Sequence, residues 1–200
     1  MFKAVIFDYG HVVSAAPGMQ MRRHIAEAFG VDEDLVGASI GKLIGDFRKG
    51  LISEETFWQH MAEDLSRPLP DNVDQLWREP FSNRLVIFDD VLQFVRNLPS
   101  KGVKTAVLSN NIQPWVDIIR ECGGYNDFDV VINSCEVGMS KPDVEIYQYA
   151  LDRLNVKPEE VVFVDDREEN LKPARELGMQ ATLVTEDTGV VASLTEKLGM

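Results

Sequence analysis

Five short runs of apolar and β-branched residues recur along the chain, each bounded by polar or turn-forming residues. Four of them are clear and the last is weaker: 2–7, 104–109, 161–164, 180–185 and 129–134. They lack the apolar–polar alternation of a strand with one solvated face, as is typical of strands buried on both faces of a parallel sheet. The runs therefore predict the strands of a parallel sheet.

Patterns with helical periodicity separate several of these strands. They cover residues 89–98, 142–154 and 170–178, and Pro99 and Gly178 are residues at which helices commonly end. An alternation of strands and helices predicts an α/β fold in which right-handed crossovers connect parallel strands.

Residues 15–85 break this alternation, because their patterns are helical throughout. The patterns cover 21–30, 34–50, 53–65 and 72–77. Residues 78–85 have the composition of a linker. The chain thus predicts a core domain formed by residues 1–14 and 86–200, into which residues 15–85 are inserted as a four-helix cap domain.

Inside the insertion, Ser53 is a predicted N-cap, and Gly30 and Gly50 are predicted helix ends. A set of large apolar residues at helical spacing predicts the core of the insertion: Phe57, Trp58, Met61 and Trp77. Three cationic residues could face a site on the sheet, but the sequence assigns them no role: Arg48, His60 and Arg78.

Composition narrows the class of protein. The 200 residues are 44% hydrophobic, which fits one domain or one core with an insertion. The net charge of −13 argues against nucleic acid and against an anionic membrane as partners. Two cysteines without a C-x-x-C pairing fit a reducing compartment, and no apolar stretch approaches the ~18 residues of a membrane span. We expect a cytoplasmic protein without a signal peptide.

Polar residues follow the predicted strands directly. Asp8 follows the first run, Ser109 and Asn110 lie at the end of the second, and the pair Asp165 and Asp166 follows the run at 161–164. Lys141 follows the weaker run after a short loop. Because ligands of open α/β sheets bind outside the carboxyl ends of the strands, we expect these side chains to share one edge of the sheet.

Three clustered carboxylates repel one another unless a cation lies among them, and an oxygen-rich site with few ligands suits Mg²⁺. A lysine and a hydroxyl add donors for a phosphoryl group. One carboxylate could then attack phosphorus and divide a difficult hydrolysis into two easier steps.

These residues resemble the motifs of the haloacid dehalogenase (HAD) superfamily. In chain order the motifs are FDYGHVV (7–13), VLSN (107–110), GMSKPDVEIY (138–147) and VVFVDDREEN (161–170). The resemblance covers essentially the whole chain. It implies a Rossmann-like parallel sheet core with an inserted four-helix cap, the C1 cap of subclass I, and a Mg²⁺-dependent hydrolase.

The resemblance also implies roles for the residues that bind substrate. Asp8 matches the nucleophile, and Lys141 matches the lysine that neutralises charge. Ser109 and Asn110, together with Lys141, match the phosphoryl-binding positions.

The metal site follows from the same resemblance. Asp8, Asp166 and the backbone carbonyl of Gly10 match the Mg²⁺ ligands. Asp165 matches a catalytic position beside the metal or bridging to Lys141. Asn170 is either a supporting residue of this site or an ordinary residue at the start of a helix.

One position departs from the common pattern. Most phosphatases of the superfamily have an Asp two residues after the nucleophile, which acts as general acid and base, whereas this chain has Gly10. The D-x-G form resembles a subgroup that includes sugar-phosphate phosphatases. Loss of a general acid–base group costs about 10²–10⁴-fold in rate, and we hypothesise that His11, or a group of the substrate or of the cap, fills part of the role.

The sequence thus favours a phosphatase of small phosphorylated metabolites that forms an aspartyl-phosphate on Asp8. An alternative is a phosphate-binding or regulatory protein that has lost turnover, because Gly10 replaces the acid–base residue. A minor alternative is a 2-haloacid dehalogenase, although Tyr9 lies one residue before the position at which such enzymes have tyrosine. The oligomeric state stays open.

Overall fold

A five-stranded parallel sheet lies at the centre of the computed structural model, which describes residues 1–15, 20–185 and 188–199. Its strands are β1 (Ala4–Phe7), β4 (Lys104–Ser109), β5 (Val130–Asn133), β6 (Val161–Asp165) and β7 (Gln180–Leu183). Their order across the sheet is β5-β4-β1-β6-β7. The predicted α/β fold with a parallel sheet is confirmed.

Each face of the sheet is covered by helices, which explains the unbroken apolar runs. In β1, Val5 and Phe7 belong to one buried cluster, whereas Ala4 and Ile6 belong to a second cluster on the opposite face. The helices that follow the insertion are α5 (Asp89–Asn97), α6 (Gln113–Glu121), α7 (Ser134–Val137), α8 (Val144–Leu154), α9 (Glu168–Glu176) and α10 (Val190–Leu198). The predictions do not include α6, α7 and α10.

The register of the sheet brings the strand ends together. Phe7, the last residue of β1, lies beside Val107 of β4 and Val164 of β6. Asp8 therefore leaves the sheet next to the ends of both neighbouring strands.

The helical insertion between β1 and α5 contains α1 (Gln20–Phe29), α2 (Glu33–Arg48), α3 (Glu54–Leu65) and α4 (Arg78–Ser82). A short antiparallel pair, β2 (Ser14–Ala15) and β3 (Val86–Ile87), brings its two ends together. Among the described residues, no helix is both long and apolar enough to cross a membrane.

Two predictions within the insertion are wrong. Residues 72–77 form only a 3₁₀ turn at Val73–Gln75, and the predicted linker at 78–85 contains α4. The linker prediction fails because Pro80 lies in the first turn of α4, where backbone N–H groups have no helical acceptor and proline is tolerated.

Local signals at the ends of the longer helices are confirmed. The Ser53 side chain accepts a hydrogen bond from the backbone N–H of Thr56 and caps α3. Gly30 and Gly50 follow α1 and α2 with φ of +63° and +66°, in the left-handed region that favours glycine.

The four apolar residues predicted to form the core of the insertion are all buried: Phe57, Trp58, Met61 and Trp77. The Phe57 and Trp77 rings lie 5.4 Å apart. This cluster continues onto α6. The Trp115 ring stacks on Phe81 at 4.9 Å, and its Nε1 donates a hydrogen bond to the carbonyl of Trp77 at 3.1 Å. Aromatic packing therefore joins the insertion to the sheet domain.

A second junction lies at the end of α2. Lys49 Nζ lies 2.7 Å from Asp143 Oδ2, two residues beyond Lys141. At Gly50 a Cβ would lie closer than 3.0 Å to the carbonyl oxygen of Cys135, so the backbone there approaches α7 as closely as glycine allows. The end of α2 is fixed against the core at two adjacent residues.

Candidate active site

The carboxyl ends of β1, β4 and β6 surround a cavity of about 190 Å³. Eight of the nine residues predicted from the sequence line it: Asp8, Gly10, His11, Ser109, Asn110, Lys141, Asp166 and Asn170. The ninth, Asp165, is fully buried and contacts Lys141. The structure therefore brings all nine together.

Asp8 lies at the centre of this cluster. Its backbone N–H donates a hydrogen bond to the Val164 carbonyl at 2.8 Å, which extends the pairing of β1 with β6 by one residue. Burial raises the pKa of Asp8 to about 6, with Asp165 adding repulsion and Lys141 opposing the shift. A further cation would favour the ionised, nucleophilic form of this carboxylate.

Lys141 is a buried cation held between two carboxylates. Its Nζ lies 2.8 Å from Asp8 Oδ1 and 2.6 Å from Asp165 Oδ2, and its side chain is 1% exposed. Burial acts to lower the pKa of Lys141, but the two carboxylates outweigh burial and raise it above its usual value. The lysine is therefore fully protonated at neutral pH and directed at Asp8.

Asp165 accepts hydrogen bonds from three groups of the site. Its two carboxylate oxygens accept hydrogen bonds from Lys141 Nζ, from the backbone N–H of Arg167 at 2.9 Å, and from Asn170 Nδ2 at 2.9 and 3.1 Å. Asn170 is buried in α9, and its carbonyl accepts a hydrogen bond from Tyr147. Donors thus occupy both oxygens of Asp165, and Asn170 fixes its orientation.

The side chain of Asn110 contacts the backbone of Lys141. Its Oδ1 accepts a hydrogen bond from the Lys141 N–H at 2.8 Å, and its Nδ2 donates to the Lys141 carbonyl at 2.7 Å. This side chain therefore positions the loop that carries Lys141. Ser109 is a buried residue that lines the cavity.

Asp8, Asp165 and Asp166 offer oxygens that all lie within 4.8 Å of one another. It is the only group of three acidic, histidine or cysteine side chains with this geometry in the part of the chain that the structure describes. Burial, and then the charge of Asp165, raises the pKa of the half-buried Asp166. A compact set of oxygen donors in mutual repulsion fits a hard divalent cation such as Mg²⁺.

The loop after Asp8 carries the residues that depart from the common motif. Gly10 lines the cavity with no side chain to offer as an acid. The His11 side chain is exposed, and its backbone has a φ of +59°, held by a hydrogen bond from its N–H to the Ser14 carbonyl at 2.7 Å. His11 thus lies at the rim of the cavity, with its imidazole accessible to solvent.

The insertion adds wall residues that the sequence did not assign. Phe81 and Arg48 line the cavity from this side, and Trp115 and Arg167 join them from the core. These positions depend on how the insertion packs, and no local pattern in the sequence indicates them. His60 and Arg78 lie elsewhere in the structure: His60 is exposed on α3, and Arg78 pairs with Glu54 at 2.9 Å.

The family of this chain follows from sequence comparison. A protein-family model described as haloacid dehalogenase-like hydrolase matches residues 2–178. The chain belongs to this family. Bifunctional epoxide hydrolase 2 of Rattus norvegicus is 32% identical to this HAD-like hydrolase over 219 residues, which cover 98% of this chain and 39% of the rat protein.

A second relative of this HAD-like hydrolase is the glyceraldehyde 3-phosphate phosphatase of Methanocaldococcus jannaschii, 38% identical over 95 residues. That alignment covers 46% of this chain and 41% of the archaeal protein. The chain spans about two fifths of the length of both relatives.

Among solved structures, a HAD family enzyme from Bacteroides thetaiotaomicron, crystallised with magnesium and inorganic phosphate, has a TM-score of 0.76 and 22% identity. The match covers 92% of this HAD-like hydrolase and 95% of the bacterial chain. At this identity the likeness establishes a shared fold.

Proposed function

We propose that the chain is a Mg²⁺-dependent phosphatase of small phosphorylated metabolites that works through an aspartyl-phosphate on Asp8. The observation that carries this proposal is the buried contact between Asp8 and Lys141 at the bottom of a small cavity. A cavity of about 190 Å³ is smaller than the roughly 300–1,000 Å³ of sites for drug-sized ligands, so a small substrate fits it.

In the first step an oxygen of the Asp8 carboxylate attacks phosphorus, and the bond from phosphorus to the bridging oxygen breaks. That oxygen leaves as part of the alcohol, with a proton from His11 or from water. In the second step water attacks the same phosphorus, which releases inorganic phosphate and restores the carboxylate. Lys141 lies 2.8 Å from Asp8, where its charge stabilises the non-bridging oxygens as negative charge develops on them.

Ser109 lines the cavity, where its hydroxyl can donate to a phosphoryl oxygen. Both ends of the Asn110 amide contact Lys141, so we assign phosphate binding at this residue to its backbone N–H. The Asn110 side chain then acts by positioning Lys141.

We assign the metal to Asp8, Asp166 and the Gly10 carbonyl, because donors already occupy both oxygens of Asp165. When bound, Mg²⁺ would supply positive charge for a phosphoryl group and for the ionised form of Asp8. It would also give an acidic chain a local attraction for phosphate, despite the net charge of −13.

We further assign residues 15–85 as a cap of the C1 type over a core of residues 1–14 and 86–200. Phe81 and Arg48 support this assignment, because they bring the insertion to the wall of the cavity. A cap in this place excludes water and selects the substrate. The D-x-G motif supports our assignment of the chain to the subgroup that includes sugar-phosphate phosphatases.

Gly10 favours a second candidate function, a phosphate-binding protein without turnover. The two candidates share the site and differ only in the fate of the bound phosphoryl group. Binding of beryllium fluoride without release of phosphate from any ester would support the second candidate.

The experiment is a panel of sugar phosphates, phosphorylated carboxylic acids and nucleotides, with phosphate release measured in Mg²⁺ and in EDTA. We expect release that requires Mg²⁺. A panel that is negative from pH 5 to 9 would refute the phosphatase, and halide release from 2-haloacids in EDTA would support a dehalogenase instead.

Asp8→Asn tests the nucleophile, and Asp152→Asn, on the exposed face of α8, is the matched control. We expect hydrolysis to be lost in the first variant and retained in the second. Burial raises the pKa of Asp8, so folding disfavours its ionised form and the neutral Asn should not lower the melting temperature. Full activity of Asp8→Asn would exclude the covalent mechanism.

A further inference from the structure

Arg48 is a charged residue of the cavity wall that the proposed phosphatase chemistry does not use. It is the last residue of α2 and lines the cavity, although α2 belongs to the insertion and not to the strand ends. The side chain thus reaches the site from the insertion.

The described residues (1–15, 20–185 and 188–199) provide no carboxylate partner for Arg48. Arg23 of the insertion pairs with Glu33 at 2.8 Å, and Arg78 pairs with Glu54 at 2.9 Å. Arg48 is half-buried, whereas the other arginines of the insertion without an ion pair among the described residues are exposed to solvent: Arg22, Arg67 and Arg84. Burial lowers the pKa of the Arg48 guanidinium, and the positive charge of Arg167 lowers it further. Arg167 is exposed and pairs with Glu169, so of these two cations it is the half-buried Arg48 that has no anionic partner among the described residues.

The backbone that follows Arg48 is anchored to the core. The next residue, Lys49, pairs with Asp143 of the core, and Gly50 lies directly against the carbonyl of Cys135. Arg48 is therefore presented to the cavity from an anchored helix end, which lowers the entropy lost when a ligand binds.

We propose that Arg48 binds a second anionic group of the substrate, which is then a small phosphate monoester that also carries a carboxylate or a second phosphate. This inference rests on the proposed phosphatase function. The planar guanidinium matches either anion with two parallel hydrogen bonds. The small cavity limits the second anion to a few bonds from the phosphoryl group.

The experiment compares substrate pairs that differ only in the second anion. 3-Phosphoglycerate against glycerol 3-phosphate replaces a carboxylate by a hydroxymethyl group. 1,3-Propanediol bisphosphate against 3-hydroxypropyl phosphate tests a second phosphate. We expect the chain to prefer at least one of the two doubly anionic compounds by about tenfold or more in kcat/KM.

Arg48→Met should remove most of this preference, mainly through KM, and Arg48→Lys should retain part of it. Arg23→Met is the matched control, since Arg23 is an exposed arginine of the same insertion. Arg48→Met should also melt at an equal or higher temperature, because it removes an uncompensated cation. A lower melting temperature, with equal loss on both members of each pair, would show a structural role and overturn the proposal.

A binding measurement separates this inference from the phosphatase proposal. Titration of the Asp8→Asn variant with each pair in Mg²⁺, with and without Arg48→Met, reports anion selection in the absence of turnover. Tighter binding of a doubly anionic compound that depends on Arg48 supports the inference even if no ester is hydrolysed. Equal affinities within both pairs overturn it even if hydrolysis is observed.

Discussion

Gly50→Ala tests whether the end of α2 must lie against the core. The substitution places an L-residue at a φ of +66°, and it puts a Cβ closer than 3.0 Å to the Cys135 carbonyl oxygen. Gly30→Ala is a matched control: it also follows a helix of the insertion, its φ is +63°, and nothing lies within 4 Å of the added Cβ.

The two substitutions share the cost of the left-handed backbone, about 1–2 kcal/mol. Gly50→Ala adds a steric cost, because ordinary contact begins near 3.4 Å and the atom it meets belongs to the backbone. Overpacking of this kind costs typically 1–3 kcal/mol. We therefore expect the free energy of unfolding to fall by about 1–3 kcal/mol more in Gly50→Ala than in Gly30→Ala.

Urea unfolding followed by tryptophan fluorescence measures this difference well. The protein has three tryptophans, Trp58, Trp77 and Trp115, and all of them lie in the aromatic cluster that joins the insertion to α6. Because the clash moves the helix end that carries Arg48, kcat/KM on a doubly anionic substrate should also fall, by up to about 10²-fold, in Gly50→Ala alone. Stabilities of the two variants that agree within about 0.5 kcal/mol would refute the reasoning.

Three further predictions concern the site itself. Asn110→Ala removes two hydrogen bonds from the Lys141 backbone and should lower kcat by about tenfold or more in steady-state assays, with Asn110→Asp, which retains only an acceptor, in between; an unchanged kcat would contradict the positioning role. His11→Ala should slow hydrolysis of alkyl phosphates by about 10²-fold and leave that of p-nitrophenyl phosphate, whose leaving group needs no acid, nearly unaffected. If the substitution changes the rates on both kinds of substrate by the same factor, His11 takes no part in the proton transfer. Gly10→Asp should raise kcat on alkyl phosphates, by at most about 10⁴-fold; no gain would mean that the proton follows another route.

The sheet and the site residues at the strand ends were predictable because both follow from one local signal, whereas Gly10, His11 and Asn170 came from the resemblance to the family. An apolar run that ends in Asp8, or in Asp165 and Asp166, marks a buried strand and the point at which it leaves the sheet. The parallel register then brings these ends together, whatever lies between them in sequence. Neither inference required knowledge of how any helix packs.

What the sequence could not predict depends on tertiary packing. Arg48 enters the cavity because α2 docks on α7, and the Asn110 side chain turns toward Lys141 because the loop carrying that lysine passes beside it. The two-residue strands β2 and β3 are too short for any periodicity to indicate them. The segment that forms α4 has the composition of a linker, but it can be helical because its proline, Pro80, lies in the first turn of the helix, where proline is tolerated.

The three donors on Asp165 have a consequence for the history of the family. Replacement of this residue leaves a buried ammonium, a buried amide and a backbone N–H without their acceptor, so the fold itself depends on it. Asp166 is only half-buried, and folding disfavours the ionised form of Asp8. A lineage that abandons turnover can therefore lose Asp8 or Asp166 first and keep Asp165, so that an intact Asp165 in a descendant is evidence of ancestry rather than of activity.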